Sequence, residues 1–204
     1  TGQFNTALGS YALTGNTSGY SNTAVGAKSL IANTTGSRNT AVGDSALLKN
    51  TTGSYNTATG YLALSSNTTG EFNTAYGSYS MEKNTTGNEN IAYGGEAFRN
   101  NISGSFNVAI GVGTLGSNTS GGENTAIGRR AMSSNTIGTF NTAVGQAALY
   151  ANTTGSNNTA VGRTSLVYNT GEGNTAMGAT SITNNTTGNN NTGVGQAVLA
   201  TNTT

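Results

Sequence analysis

The sequence lacks several residue types altogether: its 204 residues include no proline, cysteine, histidine or tryptophan. Without cysteine the chain has no disulfides or thiol chemistry, and without histidine or cysteine the usual zinc sites and nucleophile–base pairs are excluded. The seven carboxylates are scattered, and no position of the repeat described below carries one in more than two of the twelve units. We therefore expect no enzymatic activity, no cofactor and no metal site.

Charge is also scarce, since only 7% of the residues are charged and the formal net charge is +1. A near-neutral chain has no basic footprint for nucleic acid or for an anionic membrane surface. No apolar run approaches the roughly 20 residues that span a bilayer. We expect neither a nucleic-acid partner nor membrane insertion within this sequence.

What the sequence does contain is one short unit repeated along its whole length. The stretch from Asn141 to Asn157, NTAVGQAALYANTTGSN, is typical, and the step between units is 17 residues apart from one deletion near Gly171. The units begin at Asn5, Asn22, Asn39, Asn56, Asn73, Asn90, Asn107, Asn124, Asn141, Asn158, Asn174 and Asn191. Such a repeat predicts a solenoid in which each unit is one coil that is stable only when stacked. Residues 1–204 are then a single repeat array, which we interpret as a window of a longer fibre because neither end resembles a polar cap.

Two positions of the unit predict the core. The third residue is Ala in eleven units and Gly193 in the twelfth, and the ninth is always large and apolar. These ninth residues, the predicted core ladder, are Leu13, Leu30, Leu47, Leu64, Met81, Phe98, Leu115, Met132, Leu149, Leu166, Ile182 and Leu199. All fifteen charged residues lie at the sixth, seventh, tenth, eleventh, sixteenth or seventeenth positions, which should face water.

Gly at the fifth position and Asn-Thr-Thr-Gly at the twelfth to fifteenth mark two corners in each coil. We therefore predict two short strands per coil. The fold class is all-β: a parallel β-solenoid of the β-roll type with twelve 17-residue coils.

Side chains alternate along a strand, so the second and fourth residues of a unit share one face while the first, third and fifth share the other. The second set is almost always Asn, Ala and Gly, small enough for the inside of a thin roll, although the reverse assignment remains open from sequence. The fourth residues would then form an outward apolar stripe covered by another copy of the chain. This possible trimer interface comprises Leu8, Val25, Val42, Tyr76, Tyr93, Ile110, Ile127, Val144, Val161, Met177 and Val194.

The NTAVG, AL and NTTG segments of all twelve units resemble the head repeats of trimeric autotransporter adhesins, the YadA-like heads. They are also similar to the NTAVG arrays of phage tail fibres and bacterial surface proteins. The resemblance implies a left-handed roll that assembles as a homotrimer with residues such as Thr142 and Val144 at its centre. The general preference for right-handed crossovers favours the opposite hand, and we follow the resemblance in expecting a left-handed roll.

The twelfth residue of most units is the Asn of an N-x-Ser/Thr sequon, which could mark N-glycosylation. The sequon residues are Asn16, Asn33, Asn50, Asn67, Asn84, Asn101, Asn118, Asn152, Asn185 and Asn202. The structural alternative, which we favour, is that each Asn adopts the left-handed conformation of a turn and stacks in an amide ladder on its neighbours.

These observations favour a structural and adhesive role: the shaft or head of a surface adhesin, an appendage or a phage tail fibre. The location would be extracellular, on a cell or virion surface, and the partners would be other copies of the chain and a host surface or glycan receptor. Regular Thr rows leave an ice- or water-binding solenoid as one alternative, and the sequons leave a monomeric glycan-coated filament as another. Aromatic residues at the seventeenth position could stack against sugars. We favour the alternative that they shield the gap between neighbouring coils or chains, since Arg38, Glu89 and Glu123 share the position.

Overall fold

The computed structural model describes residues 2–203, and these form a parallel β-solenoid with one short strand in each unit and no helix. Each strand has three residues, the second to fourth of its unit. The twelve strands are β1 Thr6–Leu8, β2 Thr23–Val25, β3 Thr40–Val42, β4 Thr57–Thr59, β5 Thr74–Tyr76, β6 Ile91–Tyr93, β7 Val108–Ile110, β8 Thr125–Ile127, β9 Thr142–Val144, β10 Thr159–Val161, β11 Thr175–Met177 and β12 Thr192–Val194.

All twelve strands form one sheet in sequence order, and every adjacent pair is parallel. Equivalent residues of successive units pair with each other, as Ala24 does with Ala41. Because strands in a sheet are about 4.8 Å apart, the sheet extends roughly 50 to 55 Å along the rod. The predicted parallel β-solenoid of 17-residue coils is therefore confirmed.

The single deletion in the repeat does not disturb this register. Strands β10 and β11 pair Thr159 with Thr175, a step of 16 residues. The missing residue is taken from the corner, where Asn169 Nδ2 donates to the carbonyl of Gly171 at 2.9 Å. The strand side of the coil thus keeps its spacing because the corner absorbs the change.

The other side of each coil is a series of turns, so the prediction of a second strand per coil is wrong. The seventh and ninth residues of each unit have positive φ angles, as Ser45 (57°) and Leu47 (50°) do. Backbone hydrogen bonds between residues three apart close successive turns, for example from the Asn50 amide to the Leu47 carbonyl at 3.2 Å. Intervening amides bond to the next coil, as the Leu47 amide does to the Ala63 carbonyl at 3.0 Å. Left-handed residues at every second position exclude a pleated strand.

This turn side carries backbone strain, because side chains larger than glycine disfavour the left-handed region and β-branched ones do so most. Thr164, at the seventh position of its unit, has φ 53°. We expect Thr164→Asn to raise the free energy of unfolding by about 0.5 to 1 kcal/mol, since Asn tolerates this conformation. Urea denaturation followed by circular dichroism measures the change.

The matched control is Thr69→Asn, because Thr69 is an exposed threonine that is not among the residues with positive φ. It should give no gain in stability. An equal gain in both variants would show that the left-handed backbone is not the cause.

The interior between the strand side and the turn side is narrow and filled. In the core ladder, the ninth residue of each unit from Leu30 to Ile182 is fully buried. At the two ends, Leu13 is partly buried and Leu199 is 45% exposed. The strand alanines from Ala24 to Ala176 are also fully buried and pack in the same cluster. The reverse face assignment, with Val and Thr inside, is therefore excluded.

Candidate functional site

The asparagines at the twelfth position form a buried amide ladder along one corner of the rod. Asn50 Nδ2 donates to Asn33 Oδ1 at 2.8 Å and to the Gly53 carbonyl at 2.9 Å. Eight of the sequon residues are fully buried; these are Asn33, Asn50, Asn67, Asn84, Asn101, Asn118, Asn152 and Asn185. Asn16 and Asn202, in the end coils, are partly buried. Since a glycan is attached through Nδ2, this geometry favours the ladder over a row of glycans.

The first asparagines of the units form a second ladder that ends on the same corner. Asn39 Nδ2 donates to the Gly53 carbonyl at 2.9 Å, and Asn39 Oδ1 accepts from the Asn56 amide at 2.9 Å. A Cβ atom at Gly53 would lie 2.4 Å from the Gly70 carbonyl oxygen and 2.5 Å from Asn50 Oδ1. The corner therefore requires glycine, because the two amide ladders leave no room for a side chain.

The reason that we expected for Asn at the twelfth position was partly wrong. None of these asparagines is among the residues with positive φ; the left-handed residues lie at the seventh, ninth and seventeenth positions. The twelfth position selects Asn because one amide group must both donate to and accept from neighbouring coils.

The two Thr rows differ in what their hydroxyl groups do. At the thirteenth position Thr34 Oγ1 donates to the Thr51 carbonyl at 3.0 Å, and Thr51 Oγ1 to the Thr68 carbonyl at 3.0 Å. Those hydroxyl groups stabilise the stack and have used their one donor hydrogen within it. The hydroxyl groups of the second-position threonines, such as Thr142, have no protein partner within residues 2–203 and face solvent.

We define the strand-face stripe as the outward second and fourth residues of the twelve strands. Its fourth-position residues include all those of the predicted trimer interface. They range from half-buried Val25, Val144 and Val161 through Ile110 and Ile127, each 38% exposed, to Leu8, which is 67% exposed. The fourth-position row of this stripe is apolar except at Thr59 and runs the length of the rod, and long exposed apolar surfaces mark interaction sites.

Aromatic side chains extend this surface at the seventeenth position. Phe4, Tyr55, Phe72, Phe106 and Phe140 are all exposed there. Where aromatics occupy neighbouring coils they stack, as Tyr55 does on Phe72 with ring centroids 4.7 Å apart. On the stripe itself Tyr76 stacks on Tyr93 at 4.7 Å.

A cleft of about 440 Å³ interrupts the row of aromatics beside the stripe. Phe72, Thr74, Glu89 and Ile91 line it. Glu89 occupies a seventeenth position that is aromatic in the preceding coil. The cleft lies beside the strand-face stripe, to which Thr74 and Ile91 belong, and like the stripe it is open to solvent.

Within residues 2–203 no group of three or more His, Cys, Asp or Glu side chains is placed to hold a metal ion. The same residues contain no helix that is long and apolar enough to cross a membrane. No model of a known protein family, no curated protein and no solved structure matches this chain. Its function is therefore argued from its own surfaces.

The sequence reasoning missed one polar cleft on the turn side. In the unit that begins at Asn107, the seventh and tenth residues are Gly113 and Gly116, whereas every other unit has a side chain at both positions. The resulting gap, the turn-face notch, has a volume of about 320 Å³. It is lined by these glycines and by Glu96, Arg99, Asn100, Arg130, Ser133 and Tyr150. The signal that would have found it is in the sequence: the seventh and tenth positions are glycine in no other unit, and both are glycine in this one.

The walls of the notch include part of an ion-paired cluster centred on Arg99. Arg99 Nε lies 2.7 Å from Glu82 Oε2, and Arg99 Nη1 lies 3.9 Å from Glu96 Oε1. The hydrogen bond to Glu82 raises the pKa of Arg99, and the Arg99 guanidinium lies 4.8 Å from the centre of the Tyr79 ring. Arg99 is therefore held in place by three side chains of its own and the preceding coil.

Proposed function

We propose that the chain is a structural and adhesive segment of an extracellular fibre, the shaft or head of a surface adhesin, appendage or phage tail fibre. The observation that carries the proposal is the strand-face stripe: an apolar surface along a rod whose interior is already filled. A monomeric rod would leave this surface in water at every coil. Burial between copies of the chain removes it, and the repeat makes the contact uniform along the axis.

A homotrimer is the assembly that we propose for the fibre. The stripe is a narrow surface on one side of each coil, so three rods meeting at one axis cover it and leave the turn sides exposed. A closed cyclic arrangement also avoids the open-ended growth that other contacts between copies can produce. The resemblance of the repeat to trimeric adhesin heads also supports an assembly of three chains.

Light scattering behind size exclusion, with intact mass spectrometry on the same sample, tests the assembly. We expect a particle of about three times 20.4 kDa containing unmodified chains. A stable particle of 20.4 kDa would overturn the trimer, and chains heavier than the sequence mass would support a glycan-coated filament.

One substitution tests which surface makes the contact. Ile127→Lys places a charge at a fourth position, where no unit has one, and should lower the particle mass to that of one or two chains without loss of β-sheet circular dichroism. Its control is Tyr168→Lys, since Tyr168 is 56% exposed on the turn side and other units have lysine at that eleventh position. Dissociation by the control, or none by Ile127→Lys, would show that the stripe is not the interface.

A second candidate function rests on the second-position threonines. Their free hydroxyl groups are spaced by one coil, about 4.8 Å, and such a row could order water on an ice- or water-binding face. The bulky Tyr76 and Tyr93 beside them break the flatness of that face. Thermal hysteresis of a dilute solution would support this function in place of the fibre, and its absence would remove it.

A further inference from the structure

At the turn-face notch one coil lacks two side chains that the other units have, and polar groups surround the gap. Gly113 and Gly116 form its floor, and the neighbouring coils supply its walls. Arg130 lies directly above this floor: its Cγ atom would be 3.6 Å from a Cβ at Gly113. The notch is therefore a shaped recess rather than a random irregularity of the surface.

Three charged side chains line this recess, namely Arg99, Arg130 and Glu96. Glu82 is not among the lining residues, but it is the ion-pair partner of Arg99. Both carboxylates lie next to Arg99. Arg130 has no ion pair within residues 2–203 and is exposed. An anionic group entering the notch would meet an uncompensated guanidinium, which binds carboxylates in a planar, two-bond geometry.

The remaining walls offer groups for a polar ring rather than for a bare anion. The Tyr150 ring presents a flat aromatic surface, and Ser133 presents a hydroxyl group. Asn100 Nδ2 donates to the Gly116 carbonyl at 2.6 Å, which fixes the amide at the edge of the recess. Its Oδ1 atom has no protein donor within the described part of the chain. Sugar rings are recognised by this combination of one aromatic face and several hydrogen-bonding groups.

We propose that the turn-face notch binds a carboxylate-bearing pyranose unit of an acidic polysaccharide. Arg130 pairs with the carboxylate, Tyr150 packs against the ring, and Asn100 and Ser133 bond to its hydroxyl groups. A volume of about 320 Å³ is at the lower end of the range of small-ligand sites and suits one sugar unit. A neutral sugar would leave Arg130 unused, and a free inorganic anion would leave Tyr150 unused.

The location of the notch makes it compatible with assembly. It lies on the turn side of the coil, so covering the strand-face stripe leaves it open to solvent. Three chains in one fibre would present three equivalent notches, and multivalent contact raises the overall affinity for a polymer. Use of the notch in adhesion rests on the proposed fibre function, but binding of the sugar does not require the trimer.

Calorimetric titration of the 204-residue chain with trigalacturonate, in parallel with the neutral sugar maltotriose, tests the site. We expect binding of trigalacturonate and at least tenfold weaker binding of maltotriose, because one charge-assisted hydrogen bond is equivalent to about a tenfold change in affinity. Equal affinity for the two sugars would overturn the proposal. Competition by inorganic sulfate as effective as that of trigalacturonate would show that charge alone is recognised, which overturns it too.

Two variants with matched controls assign the binding to the notch. Gly116→Tyr fills the recess with the residue that the tenth position has at Tyr150, and it should abolish binding. Its control, Thr183→Tyr, makes the same change at the tenth position of a distant coil and should leave affinity within about twofold.

Arg130→Gln, a surface substitution that does not threaten folding, should weaken binding about tenfold. Arg163→Gln, on the same side of the rod but outside the notch, should not. Equal losses in a variant and its control would contradict the site. Particle mass, measured on the same samples, reports separately on the trimer, so failure of one proposal is distinguishable from failure of the other.

Discussion

Replacing Asn118 with Asp is expected to lower the free energy of unfolding at neutral pH by about 3 to 5 kcal/mol, the range for an unpaired buried charge. Asn118 is fully buried, and its Nδ2 donates to Asn101 Oδ1 at 3.1 Å and to the Gly121 carbonyl at 3.0 Å. The substitution keeps the shape of the side chain but turns this donor into a carboxylate oxygen that faces two acceptors. Within residues 2–203 the hydrogen-bond partners of the Asn118 side chain are Asn101, Gly121 and Asn135, none of them a cation.

The loss should depend on pH in a defined direction. Burial favours the neutral form, so the pKa of the new carboxyl group in the folded rod is raised above its ordinary value of about 3.9. The folded state then binds more protons than the unfolded state between these two pKa values, and stability falls as pH rises through that window. The deficit relative to the natural chain should be smallest below about pH 4 and largest at neutral pH, which urea denaturation at both pH values measures.

Asn157→Asp provides the control for this experiment. Asn157 is exposed, has φ 59°, and lies in a conformation that aspartate also tolerates. We expect a change within about 0.5 kcal/mol at either pH. Similar losses in both variants would show that the amide ladder is not what stabilises the coils.

Phe98→Ala is expected to produce the second large effect, a loss of about 3 to 5 kcal/mol. Phe98 is the largest fully buried side chain and occupies a ladder position that is Leu in most units. In a narrow rod each coil contacts only its two neighbours, so the coil cannot collapse around the cavity without losing its register. The loss is measured by denaturation, and amide exchange should locate it in the coils on either side of Phe98.

Two other substitutions serve as controls for Phe98→Ala. Phe106→Ala, in the same unit, removes an aromatic side chain that is 55% exposed and should cost less than about 1 kcal/mol. Phe98→Leu restores the common ladder residue and should cost less than about 1.5 kcal/mol. A small loss for Phe98→Ala would mean that hydrogen bonds, not the ladder, dominate the stability of the stack.

The sequence predicted the parts of the fold that depend on period and on side-chain size. The 17-residue step, the buried ladder at Leu47 and its equivalents, and the buried strand alanines follow from residue type at a fixed position. Sequence reasoning could not predict that Leu47 adopts a left-handed backbone. The intrinsic backbone preference of leucine opposes that conformation. The conformation is kept because hydrogen bonds to the next coil hold the backbone in it.

The two candidate surfaces also differ in whether the sequence could predict them. The outward position of Ile127 follows from strand alternation, which is local. The turn-face notch depends on which residues of four successive coils lie around Gly113, and on the ion pair that Arg99 makes with Glu82. Those relations depend on how the turns of successive coils stack. The sequence pattern indicated a second strand where these turns lie, so it could not predict them.

The direction of the hydrogen bonds between coils has a mechanical consequence. These bonds run along the rod, so tension applied to the two ends of the chain loads them one coil at a time rather than all together. A coil that detaches releases 17 residues, about 55 to 60 Å of extended chain, in place of about 4.8 Å of rod. Each coil that yields therefore lengthens more than tenfold before its covalent backbone is strained.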